Sequence, residues 1–436
     1  MRRTAILLVA GCLLVLGCTE TTDDSTTVPS STTSTEATTS TTSTTSTTLG
    51  SSTTSVPAPT TTTAASSTTS PPTTVASRPV TVDPNLPAAV GGHLVDWNAV
   101  GPGWILALYD ASDIVAAVTH PTVLYLIDPA GTPYEVGSWP SGPYEIADWA
   151  GTGDAALLLS NGSDAVIVDL RTGAETAAVA LPLGSYGRPV SFTAPTGTNV
   201  VVLTDDGTTQ RVERRNRSGS VLAILGEQPT PATARDGLEW LYGHDGTFVL
   251  IKHAGGIELV SNDGTFIRDL WTPMAHTCTP KRWWSDDSFV AACVGEGPAF
   301  PHNWYHQVWL LKTDGTAGAP LTEIPAGAIP VVDMGYFDGW QIPTQTYVQW
   351  VGDCGVAGIG TVAPDGSVTM IGGGENRRFV SVDGSQITVL GSLQCDTSEA
   401  RLIATDLSGV ETGVLIPRIG NAWGVRSAAT LTTVYP

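Results

Sequence analysis

Two histidines four residues apart, His302 and His306, bracket Trp304 and Tyr305 in the stretch H-N-W-Y-H. On a helix that spacing would align two imidazoles for a metal ion. Gly297, Pro298 and Pro301 just upstream argue for a loop, and no Glu adjoins either histidine as it does in metal-dependent hydrolases. The segment reads as an aromatic loop carrying two solvated imidazoles, so no metal and no other cofactor is expected. Asp205, Asp206, Asp263 and Asp314 fall in tight-turn sequences, where a carboxylate stabilises the turn rather than a calcium ion. No G-x-S-x-G elbow, Walker loop or dinucleotide fingerprint occurs. A Ser/His/Asp triad needs only to meet in space, and a hydrolase or lyase would need paired carboxylates or a His at one pocket. Asp and Glu are numerous, which keeps such an enzyme as the alternative. The expectation is a protein without catalysis.

The remaining chemistry is in the cysteines, and it depends on compartment. Arg2 and Arg3 precede an apolar run from Ala5 to Leu16 that ends at Gly17-Cys18. A positive n-region, about a dozen apolar residues and a small residue before the cut describe an export signal, too short to span a bilayer. The V-L-G-C at Val15 to Cys18 resembles a bacterial lipobox, whose cysteine is lipid-modified and becomes the new N-terminus. V-A-G-C ending at Cys12 is a second candidate with a shorter apolar core. Residues 1–17 are thus expected to be a lipoprotein signal peptide and Cys18 the site of lipidation, with palmitate among its acyl chains. Outside the cytoplasm Cys278, Cys293, Cys354 and Cys395 should be oxidised. Four cysteines allow three pairings. Cys278 and Cys293 flank a turn at Ser285 to Ser288 almost symmetrically, and Cys354 and Cys395 follow equivalent strands of successive repeats. No C-x-x-C suggests zinc or redox chemistry.

Residues 19–77 contain 26 Thr and 14 Ser, 40 of 59, and no Lys or Arg. Such a stretch has too little apolar surface to offset the entropy of ordering. Residues 18–78 are therefore expected to form a disordered tether, a common carrier of O-linked sugar. In polyproline-like form it would reach on the order of 180 Å. The whole chain has 20 Lys+Arg against 41 Asp+Glu, a net charge of −21. That excess excludes a nucleic-acid surface and tight docking on anionic lipid, because both need cations. Contact with the membrane is expected only through the lipid anchor.

What must position these residues is a repeat. Turns at Gly131, Gly173, Gly219, Gly264, Gly315, Gly366 and Gly409 recur at spacings of 42, 46, 45, 51, 51 and 43. A second series of short turns precedes an apolar strand in each repeat: Trp104 to Tyr109, Ala155 to Leu159, Val200 to Leu203, Phe248 to Ile251, Phe289 to Ala292, Tyr347 to Trp350 and Ile387 to Leu390. A period of roughly 40–50 residues with two tight turns per unit is that of a β-propeller blade of four strands. No segment sustains a helical apolar period. Residues 79–436 are read as an all-β, seven-bladed propeller of four-stranded antiparallel blades. The segment Ala422 to Tyr435 is left over, and ring closure requires such an end to complete a sheet beside the first blade.

In the fifth repeat K-R-W-W-S-D-D-S-F-V-A-A-C (Lys281 to Cys293) is followed by V-W-L-L-K-T-D-G-T (Val308 to Thr316) and P-L-T (Pro320 to Thr322). This resembles the TolB-type, WD40-like propeller repeat, with Ser288 one place beyond the family's usual Gly. With the lipobox and Ser/Thr tether, the chain is similar to lipid-anchored TolB-like propellers of actinobacteria, and lacks TolB's N-terminal α/β domain. The resemblance implies an extracytoplasmic protein on the outer face of the bacterial cell membrane.

In a blade with two short hairpins the short turns share one face, and the longer connections share the other. The longer ones are expected to hold Trp139, Tyr144, Tyr186, His276, Lys281, Arg282, His302, Trp304, Tyr305, His306, Arg377 and Arg378. Aromatic and Arg side chains on loops of a rigid scaffold are the usual anchors of interfaces. The expected function is a monomeric, non-catalytic binding or scaffold module for an envelope protein or cell-wall glycan. The alternative is an extracellular hydrolase or lyase acting on envelope carbohydrate.

Overall fold

The structure is a computed structural model. It describes residues 83–431 except 116–118, 141, 143, 161–163, 181–188, 232–235, 275, 297–303, 325–334, 353–356, 373–375 and 393–399. The signal peptide, Cys12, Cys18, the tether, Tyr186, His302, Cys354 and Cys395 lie outside the described residues.

The fold is an all-β propeller. The first sheet holds β1 (Val90–Gly91), β2 (Ile105–Asp113), β3 (Thr122–Ile127) and β4 (Pro133–Trp139). The second comprises β5 (Tyr144–Trp149), β6 (Ala155–Ser160), β7 (Asp164–Asp169) and β8 (Ala174–Ala180). The third has β9 (Val190–Phe192), β10 (Asn199–Asp205), β11 (Thr209–Asn216) and β12 (Val221–Pro229). In the fourth are β13 (Glu239–Tyr242), β14 (Phe248–His253), β15 (Gly256–Ser261) and β16 (Phe266–Leu270). An eight-stranded sheet follows: β17 (His276–Trp283), β18 (Ser288–Glu296), β19 (Trp304–Lys312), β20 (Ala319–Pro320), β21 (Gly335–Ile342), β22 (Gln345–Val351), β23 (Ala357–Val362) and β24 (Val368–Ile371). It divides into two antiparallel sets of four, joined by one parallel bridge between His306 and Gly335. The last sheet has β25 (Asn376–Asp383), β26 (Gln386–Ser392), β27 (Arg401–Asp406) and β28 (Glu411–Ile416). Finally β29 (Ala422–Thr430) returns to the first sheet and pairs antiparallel with β2.

The apolar strands that the repeat picked out are β2, β6, β10, β14, β18, β22 and β26, the second strand of each set. They are the most buried because they have a neighbour on both edges and a sheet on both faces. Leu106, Leu108, Ala156, Leu158, Val200, Val202, Phe289 and Ala291 expose 0% of their surface. Successive residues face opposite neighbours. Thus Leu106 and Leu108 pack toward Ala156 and Leu158 of the second sheet, while Ala107 and Tyr109 pack toward Leu402 and Ile416 of the last. The core is a series of such layers, each between consecutive sheets.

Every glycine of the first series sits at the turn between third and fourth strands with positive φ, from 69° at Gly173 to 92° at Gly219. Conformation is one reason for glycine there. Position is the other: a Cβ on Gly264 would collide with the carbonyl of Ile224 in the preceding sheet, and one on Gly173 would press on that of Val136. The turn carboxylates do what turn chemistry asks. Asp314 Oδ1 accepts hydrogen bonds from Thr316 N at 2.8 Å and Thr316 Oγ1 at 2.7 Å. Asp206 Oδ1 accepts them from Thr208 N at 2.9 Å and Thr209 N at 2.8 Å. Asp205 accepts from Gly207 N at 2.9 Å, and Asp263 from Thr265 N at 3.0 Å.

Cys278 and Cys293 are directly opposed on β17 and β18, with Cα atoms 4.0 Å apart, and are disulfide-bonded across 15 residues. Both are buried. A closed loop of that length restricts the unfolded chain by about 3 kcal/mol. Replacing both by Ala should lower the unfolding free energy by about that amount, read from denaturant midpoints against wild type. An unchanged midpoint would show that the cross-link contributes nothing.

Candidate functional site

Hydrogen bonds, most of them from or to side chains on the first strand of each set, stitch neighbouring sheets together. Ser427 Oγ on β29 accepts a hydrogen bond from Ile146 N of the second sheet at 2.8 Å. Asp148 Oδ2 on β5 accepts one from Phe192 N of the third at 2.7 Å. Ser191 Oγ on β9 accepts from Trp240 Nε1 of the fourth at 2.8 Å. Glu239 Oε1 on β13 accepts from Thr279 Oγ1 on β17 at 3.0 Å. Arg282 on β17 grips Asp338 on β21 with two bonds of 2.8 and 2.6 Å. Gln349 on β22 accepts from Phe379 N of the last sheet at 2.7 Å, and Val425 N on β29 donates to Ala400 O at 2.8 Å. The circuit is closed.

Its charged sector centres on Glu239. Lys252 Nζ, only 2% exposed, lies 2.8 Å from Glu239 Oε1, and Lys281 Nζ lies 3.9 Å from Oε2. Burial pushes the Glu239 carboxyl up, but Lys281 and Lys252, with hydrogen bonds from Lys252 and Thr279, hold it below the usual carboxylate range. Beside it the Arg282 guanidinium lies 4.2 Å from the centroid of the Trp340 ring, which stacks on Phe379 at 3.6 Å. A local bulge on β17 between Pro280 and Arg282 turns the chain here. Bulges re-aim side chains at strand rims.

A depressed carboxyl has a defined linkage to pH. Its contribution is fully present above its unfolded value and is lost as pH falls through its folded value. Hydrogen bonds from Ser261 and Thr265 lower Asp263 to about 2, and those from their Thr or Ser neighbours also lower Asp314, Asp365 and Asp406. Together with Glu239 they predict a melting temperature that falls steadily below about pH 4.5. Relief of the −21 self-repulsion acts in the opposite sense, but it is diffuse and screened, whereas these bonds are local. Calorimetry between neutral and acid pH checks this, and a melting temperature rising on acidification would contradict it.

The second cluster lies where β17 begins and β18 ends, at the long-connection face. His276 Nδ1 is 2.8 Å from Met274 O, and Nε2 is 3.2 Å from Tyr305 Oη. Trp309 packs 6.1 Å from the His276 ring and 5.9 Å from Trp271. A Cβ at Gly295 would run into the imidazole, so glycine opposite His276 lets the ring lie flat on β18.

Several residues expected on long loops are in strands. Trp139 ends β4, Tyr144 opens β5, Lys281 and Arg282 lie within β17, Trp304, Tyr305 and His306 are in β19, and Arg377 and Arg378 are in β25. Strands run further than the apolar pattern because polar and aromatic residues also satisfy the ladder. Trp139 is buried against Tyr144, with centroids 6.0 Å apart; it caps the core. His306 is a correction: the expected solvated imidazole is 8% exposed and stacks on Phe337 at 4.0 Å. Arg377 is likewise buried, its guanidinium donating to Gly409 O. Arg378 is exposed. Among the described residues of that set, His276 and Tyr305 are brought together as a polar pair. Sequence reasoning missed Asp148, Glu239, Asp338 and Gln349. For the first three a signal existed: an acidic residue just before a first-strand tryptophan, in D-W at Asp148, E-W at Glu239 and D-G-W at Asp338. Among the described residues no group of three or more His, Cys, Asp or Glu is placed to hold a metal ion.

No protein-family model and no curated protein sequence matches the chain. Solved structures similar to it include dihydro-heme d1 dehydrogenase NirN, at 13% identity over 79% of this chain and 78% of that one, TM-score 0.47. BamB from Moraxella catarrhalis is similar at 16% identity over 59% and 85%, TM-score 0.39. The β-propeller domain of the Trilobed protease from Pyrococcus furiosus is similar at 10% identity over 77% and 99%, TM-score 0.44. At these values the likeness assigns no activity, and propellers host unrelated functions.

Proposed function

We propose that the chain is a seven-bladed, TolB-like propeller lipoprotein. It is anchored by Cys18 to the outer face of the bacterial cell membrane, held off it by the tether, and binds an envelope protein or cell-wall glycan. The observation that supports a non-catalytic reading is the closed circuit of hydrogen bonds between sheets. Glu239 and Arg282 are occupied in joining sheets, through Thr279 and Asp338, and Lys252 is occupied in holding Glu239. A catalytic acid or base must be free to exchange protons with a substrate during turnover, and each of these is instead paired with an opposite charge, Glu239 with Lys252 and Asp338 with Arg282. Binding then falls to the long-connection face, where His276 and Tyr305 lie.

Two experiments on the full chain in cells test this. A photo-crosslinker at Trp304 should capture one defined envelope protein or glycan, while the same probe at Asp365, on the short-turn face, should not. Equal capture at both positions, or polysaccharide turnover lost in Glu239→Gln, would overturn the reading. A palmitate analogue should label the wild type and not Cys18→Ser; labelling that persists would move the anchor to Cys12.

A further inference from the structure

The outer edge of the ring is uneven in chemistry. The outermost strands β8, β20 and β28 begin with Ala-Glu-Thr, Ala-Pro and Glu-Thr-Gly. Charge, Pro and Gly there discourage another strand from adding. β4 is covered by β1, which pairs with it in parallel. The neighbouring outermost strands β12 and β16 are different. Val221, Leu222 and Ile224 on β12 are 51%, 47% and 48% exposed, and Phe266 and Ile267 on β16 are 55% and 43% exposed. The two groups are contiguous, because the turn at Gly264 abuts the Ile224 and Leu225 backbone. Among the described residues β12 has a strand partner on one edge, β11.

We propose that this face is the contact between two copies of the chain, related by a twofold axis. Two observations select a second copy. The first is area. Five large apolar side chains about half exposed present roughly 450 Å², in the middle of the range for a monomer's largest patch, a kind of patch that is often functional. A stable interface covers about 800 Å² per partner, of which about 57% is apolar, so the patch is close to the required size. The second is charge. Strands β11, β12 and β16 carry Arg211, Arg214, Arg215 and Arg268 against Glu213, Glu227 and Asp269, four cations to three anions. The whole chain carries 20 cations to 41 anions. Two copies this acidic repel through most of their surfaces and meet at least cost where charge is balanced. The same near-neutrality gives anionic lipid little to attract.

Sedimentation velocity of the full chain from roughly 1 to 100 µM, a range in which standard-size interfaces associate, should show monomer converting to dimer. The double variant L222E/I224E should remain monomeric throughout, with an unchanged melting curve because both side chains are on the surface. Phe266→Glu should weaken the dimer at least tenfold. Met274→Glu, at a 91% exposed methionine on another connection, should dimerise like wild type. A monomeric wild type at every concentration overturns the proposal, as does dimerisation undiminished in both L222E/I224E and Phe266→Glu. Monomers whose binding to anionic or zwitterionic vesicles is lost in L222E/I224E would assign the patch to lipid and also overturn it.

Discussion

Ending the chain after Asn421 should abolish cooperative unfolding. β29 contributes seven registered pairs to β2 and buries Val425 and Ala422 completely or nearly so. Leu431, just beyond it, is 7% exposed in the layer shared with the second sheet. Net ladder hydrogen bonds at about 1 kcal/mol each and the apolar burial sum to on the order of 10 kcal/mol. That equals the whole stability of a typical domain, about 5–15 kcal/mol. The loss is also topological, because β29 carries two of the junctions between sheets, Ser427 to Ile146 and Val425 to Ala400. The truncated chain should therefore give a broad, low-amplitude calorimetric transition, and a peptide spanning residues 421–431 added in trans should sharpen it. A truncated protein that melts like wild type would mean the ring stands without its closing strand.

That closing strand was legible in the sequence, and so were the turns, because both follow from local rules. Seven positive-φ glycines at a regular period mark hairpins whatever lies around them, and a segment left over after the repeats must pair somewhere. The Cys278–Cys293 bond was legible for a similar reason: two residues equidistant from a tight turn face each other in an antiparallel register. Side-chain destinations across sheets were not. Nothing in H-N-W-Y-H indicates that His306 will be covered by Phe337, about thirty residues away across a sheet junction. Arg282 looked like a surface anchor because its partner, Asp338, is 56 residues distant. The circuit mixes backbone N–H, indole, hydroxyl and guanidinium donors with hydroxyl, carboxylate, amide and carbonyl acceptors, so its members share no residue type. Only the acid–tryptophan pairs at Asp148, Glu239 and Asp338 left a common trace, each on the first strand of its set.

Within that circuit the largest single-residue effect should come from Glu239→Ala. The substitution removes the carboxylate 2.8 Å from Lys252 Nζ and leaves that ammonium 2% exposed between sheets. Removing one partner of a buried ion pair costs about 3–5 kcal/mol, more than the pair itself contributes, because the remaining charge stays desolvated. Thr279 loses its acceptor at the same time. The expectation is a loss of about 3 kcal/mol or more, measured from urea midpoints at neutral pH. Glu239→Gln should cost less, since the amide oxygen still accepts from Thr279. The decisive comparison is Glu239→Ala with Lys252→Met, which removes both charges and restores apolar volume. If desolvation of Lys252 is the cause, the double variant recovers most of the lost stability, giving a coupling of about 2 kcal/mol in the cycle. If the two losses simply add, Lys252 finds adequate solvation without Glu239, and the junction is held by Thr279 and packing rather than by charge. Lys281 distinguishes these further: it is 31% exposed and 3.9 Å from the carboxylate, so Lys281→Met should cost well under 1 kcal/mol.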